Sequence, residues 1–283
     1  MELETTTLLF EEFKLWLVGF LLALPRCYAF IAASQLLSPT SVPRLARNVA
    51  ILVIAMPLTP PLVPFAPIFI ENIPLFIGYF LKEAALGFIM GFMVTWLFWA
   101  VQAAGTFIDN QRGAAIASSI DPLQGHESSP LGLLFSQAFI TYFFSVGGFL
   151  IITGFLYASY REWPITQMLP LFGDAFPAMI LEILDHGTRL AFVISAPIVA
   201  VMFFAEFALA MVSRFAPQIQ VFILAMPIKS ALAIAILVFS FPILINFSMD
   251  QDRYFASYFA RLYEILRAGA ALEAPPGSLP APQ

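Results

Sequence analysis

The sequence predicts an all-α integral membrane protein, and three observations carry that prediction. Hydrophobic residues make up 60% of the 283 residues and charged residues only 11%, whereas soluble domains average roughly 45–50% apolar and about 25% charged. Several apolar runs exceed the roughly 18 residues that cross a bilayer as a helix. A chain of this size could not bury so much apolar surface in a water-soluble core.

Charge, cysteine content and motifs exclude several function classes. The net charge is −5 and the basic residues are scattered, so the basic footprint of a nucleic-acid-binding protein is missing. The single cysteine, Cys27, and the two distant histidines, His126 and His186, provide neither a disulfide nor a metal-ligand spacing. No nucleotide-binding or hydrolase motif occurs, and nothing positions Asp109 and Asp121 for acid–base chemistry, so we expect no enzyme, cofactor or metal.

The first two apolar runs are both interrupted. Phe13–Leu37 is long enough to span a membrane, and Arg26 lies near its centre beside Pro25. A charge at that depth indicates a face turned to protein or water; alternatively, the aliphatic stem carries the guanidinium to the interface. Val49–Val63 is apolar but short, and prolines break its end, which predicts a half-span or a segment held by neighbouring protein.

The third run, Ile73–Phe107, is longer than one span needs. It carries two adjacent charges, Lys82 and Glu83, near its start, and intramembrane charges are usually turned towards protein or a water-filled cavity. Gly87 and Gly91 form a small-xxx-small pattern, which is a weak indication of close helix approach.

The polar segment Gly105–Gly132 interrupts an otherwise apolar chain. Its middle, Gly113–Ser119, consists almost entirely of small residues, which fit a narrow space beside other backbones. Composition allows two interpretations: a solvated loop between two membrane helices, or a re-entrant or pore-lining segment that is buried in protein or faces water. Its polar and helix-interrupting residues are Asp109, Asn110, Gln111, Arg112, Gly113, Asp121, Pro122, Gly125, Glu127 and Pro130.

The second half of the chain predicts one long run, a loop and a helical hairpin. Leu131–Tyr160 is a long apolar run with Gly147, Gly148 and Gly154 inside it, and we expect long, broken helices and hairpins rather than simple spans. Arg161–Gly187 is predicted to be a mixed loop with a short amphipathic helix over Phe176–Leu184. Thr188–Val212 and Val221–Phe247 form two apolar arms around a tight turn, which predicts a helical hairpin.

The two arms of this hairpin carry opposite charges. Glu206 lies in the first arm, Lys229 in the second and Arg214 in the turn. Counted from the turn at about 1.5 Å per residue, Glu206 and Lys229 lie within about 5 Å of each other in depth. An ion pair between the arms is one interpretation, and a contact of each residue with another subunit is the alternative. An unpaired buried charge is disfavoured.

After the hairpin, the composition becomes more polar. Ser248–Gly269 has apolar residues at helical spacing with charges between them, which predicts an amphipathic helix. Residues 270–283 are rich in Ala and Pro and are expected to be disordered. The apolar segments are too uneven in length and polarity for a plain bundle of six helices, which favours a chain whose helices are covered by partner subunits rather than lipid.

Two motifs resemble a known family. The first runs as IDNQRGA over Ile108–Ala114 and continues with Asp121-Pro122-Leu123, Gly125, Glu127 and Ser129–Gly132. The second is RFAPQ over Arg214–Gln218, followed by Val221-Phe222 and Lys229-Ser230. Together they are similar to the signatures of the T component of the type III secretion export apparatus (SctT, YscT or HrcT), whose flagellar homologue is FliR. The resemblance covers about residues 13–259, and the IDNQRGA form is closer to the injectisome branch.

The resemblance implies a fold, partners and a location. It implies one T subunit in a helical assembly with several R-type and S-type subunits, in the bacterial inner membrane and raised in part towards the periplasm. Such an assembly meets a U-type switch protein and is the entry gate for unfolded secreted polypeptides. The resemblance also implies an R-like part over residues 1–187, an S-like hairpin over residues 188–247 and a plug over about residues 107–130 that closes the resting pore.

The chemistry of the residues, taken with the resemblance, gives expectations for individual side chains. The charged residues of the polar segment, Asp109, Arg112, Asp121 and Glu127, would hold the closed state through charge-assisted hydrogen bonds. Buried charges or subunit contacts are expected at Arg26, Lys82, Glu83, Glu206, Arg214 and Lys229.

Two other classes of function remain as alternatives. An autonomous small-solute transporter would predict internal repeats, of which the sequence shows no convincing example, and a membrane scaffold would have no pore.

Overall fold

The computed structural model describes residues 2–37, 42–113, 129–167, 175–215, 221–249 and 252–273. Within these ranges the backbone forms helices and turns, without a strand, which confirms the predicted all-α class. The helices are α1 (Glu2–Ala33), α2 (Arg44–Ala55), α3 (Ala66–Glu71), α4 (Ile73–Arg112), α5 (Pro130–Ser145), α6 (Gly148–Glu162), α7 (Ala175–Phe215), α8 (Val221–Met249) and α9 (Asp252–Glu273).

Length and composition allow several of these helices to cross a membrane. Four helical segments in the described part of the chain qualify: Thr6–Ala33, Ile73–Arg112, Ala175–Phe215 and Leu224–Ile243. Two bent pairs, Arg44–Leu58 with Pro60–Ile70 and Pro130–Ser145 with Gly148–Glu162, raise the number to six if each pair is one span. The chain is therefore an integral membrane protein.

The bends lie where the backbone chemistry requires them. The first pair bends by 67° after α2 gives way to two 3-10 segments, Met56–Leu58 and Pro60–Phe65, because successive prolines remove helical hydrogen bonds. The second pair bends by 75° at Gly147, whose φ of 85° is readily adopted only by glycine. The apolar run Leu131–Tyr160 is therefore a helix that is broken at Gly147.

Three predicted boundaries differ from the structure. The short helix predicted at Phe176–Leu184 is the first part of the 41-residue helix α7, so the predicted loop up to Gly187 is wrong. Gly187 lies inside this helix, and a Cβ atom at its position would lie 3.5 Å from the Trp96 ring and 3.7 Å from the Trp99 ring. The predicted amphipathic helix Ser248–Gly269 is present as α9, with bounds shifted to Asp252–Glu273. Residues 270–273 of the predicted disordered tail are thus helical, and residues 274–283 lie outside the described residues.

The chain forms two compact units, and their boundary falls within helices α4 and α7. Unit 1 comprises Met1–Thr95, Gly147–Ile180 and Tyr254–Gln283, and unit 2 comprises Trp96–Val146 and Leu181–Arg253. In unit 1, α9 buries its apolar face against α6: the rings of Phe155 and Phe259 stack at 4.5 Å, and the Tyr263 hydroxyl donates to the Phe155 carbonyl at 2.7 Å. Burial raises the pKa of the Tyr263 phenol. This amphipathic helix therefore stabilises the fold and does not present its apolar face to a membrane surface.

Helices α1 and α4 approach closely in unit 1, and the Gly87–Gly91 pair makes this approach possible. A Cβ atom at Gly87 would lie 2.2 Å from the Arg26 carbonyl oxygen, and one at Gly91 would lie 2.5 Å from the Phe30 carbonyl oxygen. Thr95, one turn further, donates its hydroxyl hydrogen to the Ala33 carbonyl. The motif that the sequence only weakly indicated thus lies at the α1–α4 contact.

Substitution of Gly87 by alanine is expected to lower the stability of unit 1. The added methyl would displace backbone, and overpacking costs about 1–3 kcal/mol. Thermal unfolding of the detergent-solubilised chain measures the effect. Gly78 is the matched control, because it lies on the same helix with nothing within 4 Å of an added Cβ. Gly78→Ala should be neutral or slightly stabilising, and equal melting temperatures for the two variants would contradict this account of the contact.

Candidate functional site

The end of α4 and the start of α5, both in unit 2, are joined by a cluster of polar contacts around Asp109. The Asp109 Oδ2 atom accepts hydrogen bonds from the Ser129 hydroxyl at 2.5 Å and from the Leu131 backbone N–H at 2.8 Å. Its Oδ1 atom lies 2.6 Å from Nη2 of Arg112. The Asp109 residue is only 1% exposed. We call Asp109, Arg112, Ser129 and Leu131 the Asp109 clasp.

Local sequence explains why Ser129 occupies this position. Ser129 is the N-cap of α5, and its hydroxyl oxygen accepts from the Gly132 backbone N–H at 2.9 Å. Pro130 follows at the first helical position, where its fixed φ and missing N–H favour a helix start. The Ser129 hydroxyl therefore accepts within its own helix and donates to Asp109 on the preceding helix. One side chain both starts α5 and ties it to α4.

Two glycines allow the helices to come close enough for this contact. A Cβ atom at Gly105 would lie 2.6 Å from the Leu131 carbonyl oxygen, and one at Gly132 would lie 2.7 Å from Oγ1 of Thr106. No larger residue fits at either position without a shift of backbone or of a packed side chain. The backbones of α4 and α5 are thus in contact immediately beside the clasp.

The clasp joins the two flanks of residues 114–128, which lie outside the described residues. On one flank, α4 ends at Arg112 and is followed by Gly113, whose φ is 92° and whose N–H donates to the Asn110 carbonyl at 3.1 Å. On the other flank stands Ser129. The segment that is not described contains four of the predicted plug residues: Asp121, Pro122, Gly125 and Glu127.

The other predicted plug residues take different positions around the end of α4. Asn110 is exposed. Gln111 is half-buried and lines an apolar groove next to Phe107. Of the charged residues that were expected to hold the closed state, the described part of the chain therefore brings together Asp109 and Arg112.

A second polar cluster lies in unit 1 and is buried among helices. Arg26 donates from Nε to the Glu83 Oε2 atom at 2.6 Å and from Nη2 to Oε1 at 2.9 Å. Lys82 lies 2.6 Å from the same carboxylate. Arg26, Lys82 and Glu83 are at most 3% exposed, and we call them the buried triad. The Arg26 guanidinium therefore faces other parts of the protein.

The buried triad also holds the chain that follows α6. Lys82 Nζ donates to the carbonyl oxygens of Ile165 and Gln167, each at 2.9 Å. Arg26 donates to the Trp163 carbonyl and to the Ser159 hydroxyl, each at 3.0 Å. The triad contains two cations and one anion, and backbone carbonyl dipoles supply the remaining negative potential. The triad therefore fixes the position of the backbone that follows α6.

The third charged site is the predicted ion pair of the hairpin. Lys229 on α8 donates to Glu206 Oε2 on α7 at 3.0 Å, so the two residues pair within one chain. The Lys229 side chain is 11% exposed and the Glu206 side chain 51% exposed. Arg214 lies exposed in the last turn of α7, next to residues 216–220, which are not described.

Several residues that contribute to these sites were not predicted from the sequence. No role was assigned to Ser129, although a serine followed by proline before an apolar run is a recognisable helix start. Nor were roles assigned to Gly105 and Gly132, or to Ser159, whose contacts depend on distant segments. Among the described residues no group of His, Cys, Asp or Glu could hold a metal ion. The chemistry of the Asp109 clasp is that of a reversible set of hydrogen bonds.

Comparison with known proteins gives consistent matches over most of the chain. The family model described as "Bacterial export proteins, family 1" matches residues 17–252. The chain is 39% identical over 229 residues to the Yop proteins translocation protein T of Yersinia pestis, which covers 78% of this chain and 85% of that protein. It is 32% identical to the surface presentation of antigens protein SpaR of Salmonella typhimurium, over 69% of this chain and 72% of that protein. It is 34% identical to the flagellar biosynthetic protein FliR of Bacillus subtilis, over 56% of this chain and 61% of that protein.

Proposed function

Because the chain belongs to family 1 of the bacterial export proteins and is a T-type component of the type III secretion export apparatus, we propose that it is a subunit of the export gate in the bacterial inner membrane. In this proposal it forms, with R-type and S-type subunits, the entry pore for unfolded secreted polypeptides. Residues 107–130 supply the plug that closes the pore at rest. The observation that carries the plug assignment is the Asp109 clasp.

The clasp supports a plug because of where its contacts lie. Asp109 and Arg112 precede residues 114–128, and Ser129 and Leu131 follow them, so one carboxylate ties both flanks. Hydrogen bonds to a charged group contribute about 1.5–3 kcal/mol each, which is enough to hold a closed state and small enough to be broken. The small residues of Gly113–Ser119 let the plug fit a narrow pore between subunits, where non-helical backbone is tolerated.

Opening is then a two-state change. A secreted polypeptide, or assembly with the U-type switch protein, would favour the open state by binding it more tightly than the closed state. Loss of a few clasp contacts shifts the balance. No covalent bond is made or broken in this step, so the proposed role requires neither catalysis nor a cofactor.

The surfaces of the described helices fit a chain that is covered by partners and lipid. Large apolar side chains are exposed on both arms of the hairpin, including Phe203 and Phe204 on α7 and Val238 and Phe239 on α8. We propose that this hairpin, residues 188–247, is the S-like part and that residues 1–187 are the R-like part. Part of the assembly would be raised from the membrane plane towards the periplasm.

The carrier and scaffold alternatives make different predictions about the purified chain. An autonomous solute transporter would work as a lone chain in proteoliposomes, whereas an export-gate subunit should co-purify with small apolar R-type and S-type subunits. The relatives bear the names of translocation, antigen-presentation and flagellar biosynthesis proteins. They favour the export subunit over the carrier.

Shortening the stretch Gly113–Ser119 tests the plug directly. Removal of three residues within it should leave the resting complex leaky, because the plug would no longer fill the pore. The measurement is the permeability to ions of cells that co-express the chain with its R-type and S-type subunits. Deletion of three residues from the tail, residues 274–283, serves as the control and should change nothing. Unchanged permeability in the plug variant, with the complex assembled, would contradict the plug assignment.

A further inference from the structure

One face of α7 carries an apolar groove within unit 2. The groove has a volume of about 550 Å³, and its floor consists of small side chains, among them Ala196, Val199 and Ala200. Phe107 and Phe192 form its wall, with their rings stacked at 4.7 Å. Small residues on a membrane helix allow another helix to approach closely. The small residues in its lining would therefore let a helix backbone approach α7.

The same face continues to a carboxylate. Positions 192, 196, 199, 203 and 206 recur at spacings of three and four residues, which places them along one side of a helix. Glu206 therefore lies in line with the groove, and the exposed rings of Phe203 and Phe207 flank it. We call this line, from Phe192 to Glu206, the α7 stripe. At about 1.5 Å per residue it is roughly 21 Å long, which suits a helix.

The partial exposure of Glu206 indicates what covers the α7 stripe. Its Oε2 atom accepts from Lys229, but half of the side chain remains exposed on a surface of phenylalanine rings. A charge exposed to lipid at such a position is costly, and intramembrane charges nearly always face protein or water. A lipid tail could fill the groove between the aromatic rings, but it has no group that donates to a carboxylate. The occupant must combine an apolar surface with a hydrogen-bond donor.

We propose that the α7 stripe is the docking surface for one membrane helix of a neighbouring export subunit, which packs on Ala196 and Ala200 and donates from a Lys, Arg or Trp nitrogen to Glu206. The proposal rests on the proposed export-gate function. It names the surface and the chemistry of the contact. The Glu206–Lys229 pair then has two roles: it joins the arms of the hairpin, and it presents an acceptor to the neighbour.

Site-specific photocrosslinking tests the surface with little perturbation. The full chain is co-expressed with the R-type and S-type subunits of the same bacterium, and a photoreactive phenylalanine analogue replaces either Ala200 or Ala208. Both alanines are exposed on α7, but Ala208 lies off the stripe. Position 200 should crosslink to one neighbouring subunit and position 208 at most one-tenth as much. Crosslinks from position 200 to lipid alone, or equal crosslinking from both positions, would overturn the proposal.

A charge exchange separates the contact with the neighbour from the pair within the chain. The double variant Glu206→Lys with Lys229→Glu keeps an ion pair between the arms but turns an ammonium towards the neighbour. Lys, Arg and Trp side chains only donate hydrogen bonds, so the exchanged chain should retain the crosslinked subunit at least tenfold less well in detergent. Retention equal to wild type would show that the pair acts only within the chain, and it would overturn the docking of a donor at Glu206.

The wild-type chain distinguishes the two levels of the proposal. If it retains no R-type or S-type subunit at all, the proposed function fails, and the docking proposal fails with it. If it retains them while the exchanged chain and an Ala200→Leu variant retain them equally well, the export-gate function stands and only the α7 stripe assignment is wrong. Ala208→Leu is the matched control for Ala200→Leu and should assemble as wild type.

Discussion

Replacement of Glu83 by alanine is expected to have the largest effect on stability of any single substitution considered for this chain. Removal of one partner from a buried ion pair costs about 3–5 kcal/mol, because the other charge stays buried without compensation. In the buried triad, loss of one carboxylate leaves two cations, Arg26 and Lys82, beside each other. We expect the variant chain to be largely lost from the membrane, and any remaining protein to unfold at a much lower temperature.

The exposed pair Arg189–Asp185 provides a matched control for this experiment. Its two side chains are 74% and 72% exposed and lie 3.2 Å apart. Exposed pairs contribute about 0–1 kcal/mol, so Asp185→Ala should leave both the amount of chain and its melting temperature nearly unchanged. Equal decreases in melting temperature for Glu83→Ala and Asp185→Ala would show that the buried triad contributes no more to stability than an exposed ion pair.

A double-substitution cycle then tests whether Arg26 and Glu83 act as a pair. Glu83→Gln leaves Arg26 and Lys82 without their carboxylate, and Arg26→Gln leaves Glu83 paired with Lys82 alone. Each single variant loses the Arg26–Glu83 contact, which the double variant loses only once. In the double variant, Lys82 keeps its hydrogen bonds to the carbonyl oxygens of Ile165 and Gln167. The double variant should therefore lose less stability than the sum of the two single variants, as expected for residues in direct contact. A strictly additive result would indicate that Arg26 acts mainly through Ser159 and Trp163.

Much of this fold follows from local sequence, because membrane helices are specified by length and composition. The all-α class and the membrane-spanning segments follow from apolar runs. The depth argument for Glu206 and Lys229 requires only the rise of a helix, and the two residues pair at 3.0 Å. In such cases the signal lies within a short stretch of the chain.

What the sequence could not provide depends on distant contacts. Arg26 and Glu83 are 57 positions apart, and nothing in either run indicates that they meet. Gly187, which the sequence predicted to lie in a loop, is inside α7 and beside Trp96 and Trp99, which belong to another helix. The bend at Gly147 is a different case, because its signal is local. Gly147 and Gly148 are adjacent in the sequence, but glycines also occur in straight membrane helices. The pattern of apolar residues alone therefore does not distinguish a straight helix from a bent one.

The Asp109 clasp combines both kinds of information. The motif that contains Asp109 and Arg112 was conspicuous, and the resemblance implied a role in closing the pore. The partner across the gap, Ser129, was not assigned, although its place before Pro130 predicts a helix start. Its hydroxyl becomes important only when α5 packs against α4. The sequence thus identified the carboxylate, and the structure identifies the groups that donate to it.

Substitution of Asp109 by alanine is therefore expected to make the resting complex leak. The change removes the acceptor for Ser129 and Leu131 and the counterion of Arg112. A hydrogen bond to a charged group contributes about 1.5–3 kcal/mol, and each 1.4 kcal/mol changes an equilibrium about tenfold. If the clasp holds the closed state, ion permeability of cells with the assembled complex should rise at least about tenfold.

Graded variants at the same site separate the clasp from general damage. Asp109→Asn keeps an oxygen acceptor but loses the charge that faces Arg112, so its leak should be intermediate. Ser129→Ala removes one donor and the helix cap, a loss of about 1 kcal/mol, and should leak less than Asp109→Ala. Asn110, the exposed neighbour in the same motif, is the control, and Asn110→Ala should not leak. Co-purification of the R-type and S-type subunits must be unchanged in all four variants, because a leak that accompanies lost subunits would reflect failed assembly. An assembled Asp109→Ala complex as tight as wild type would show that the clasp only joins α4 to α5, and closure would then have to depend on other contacts.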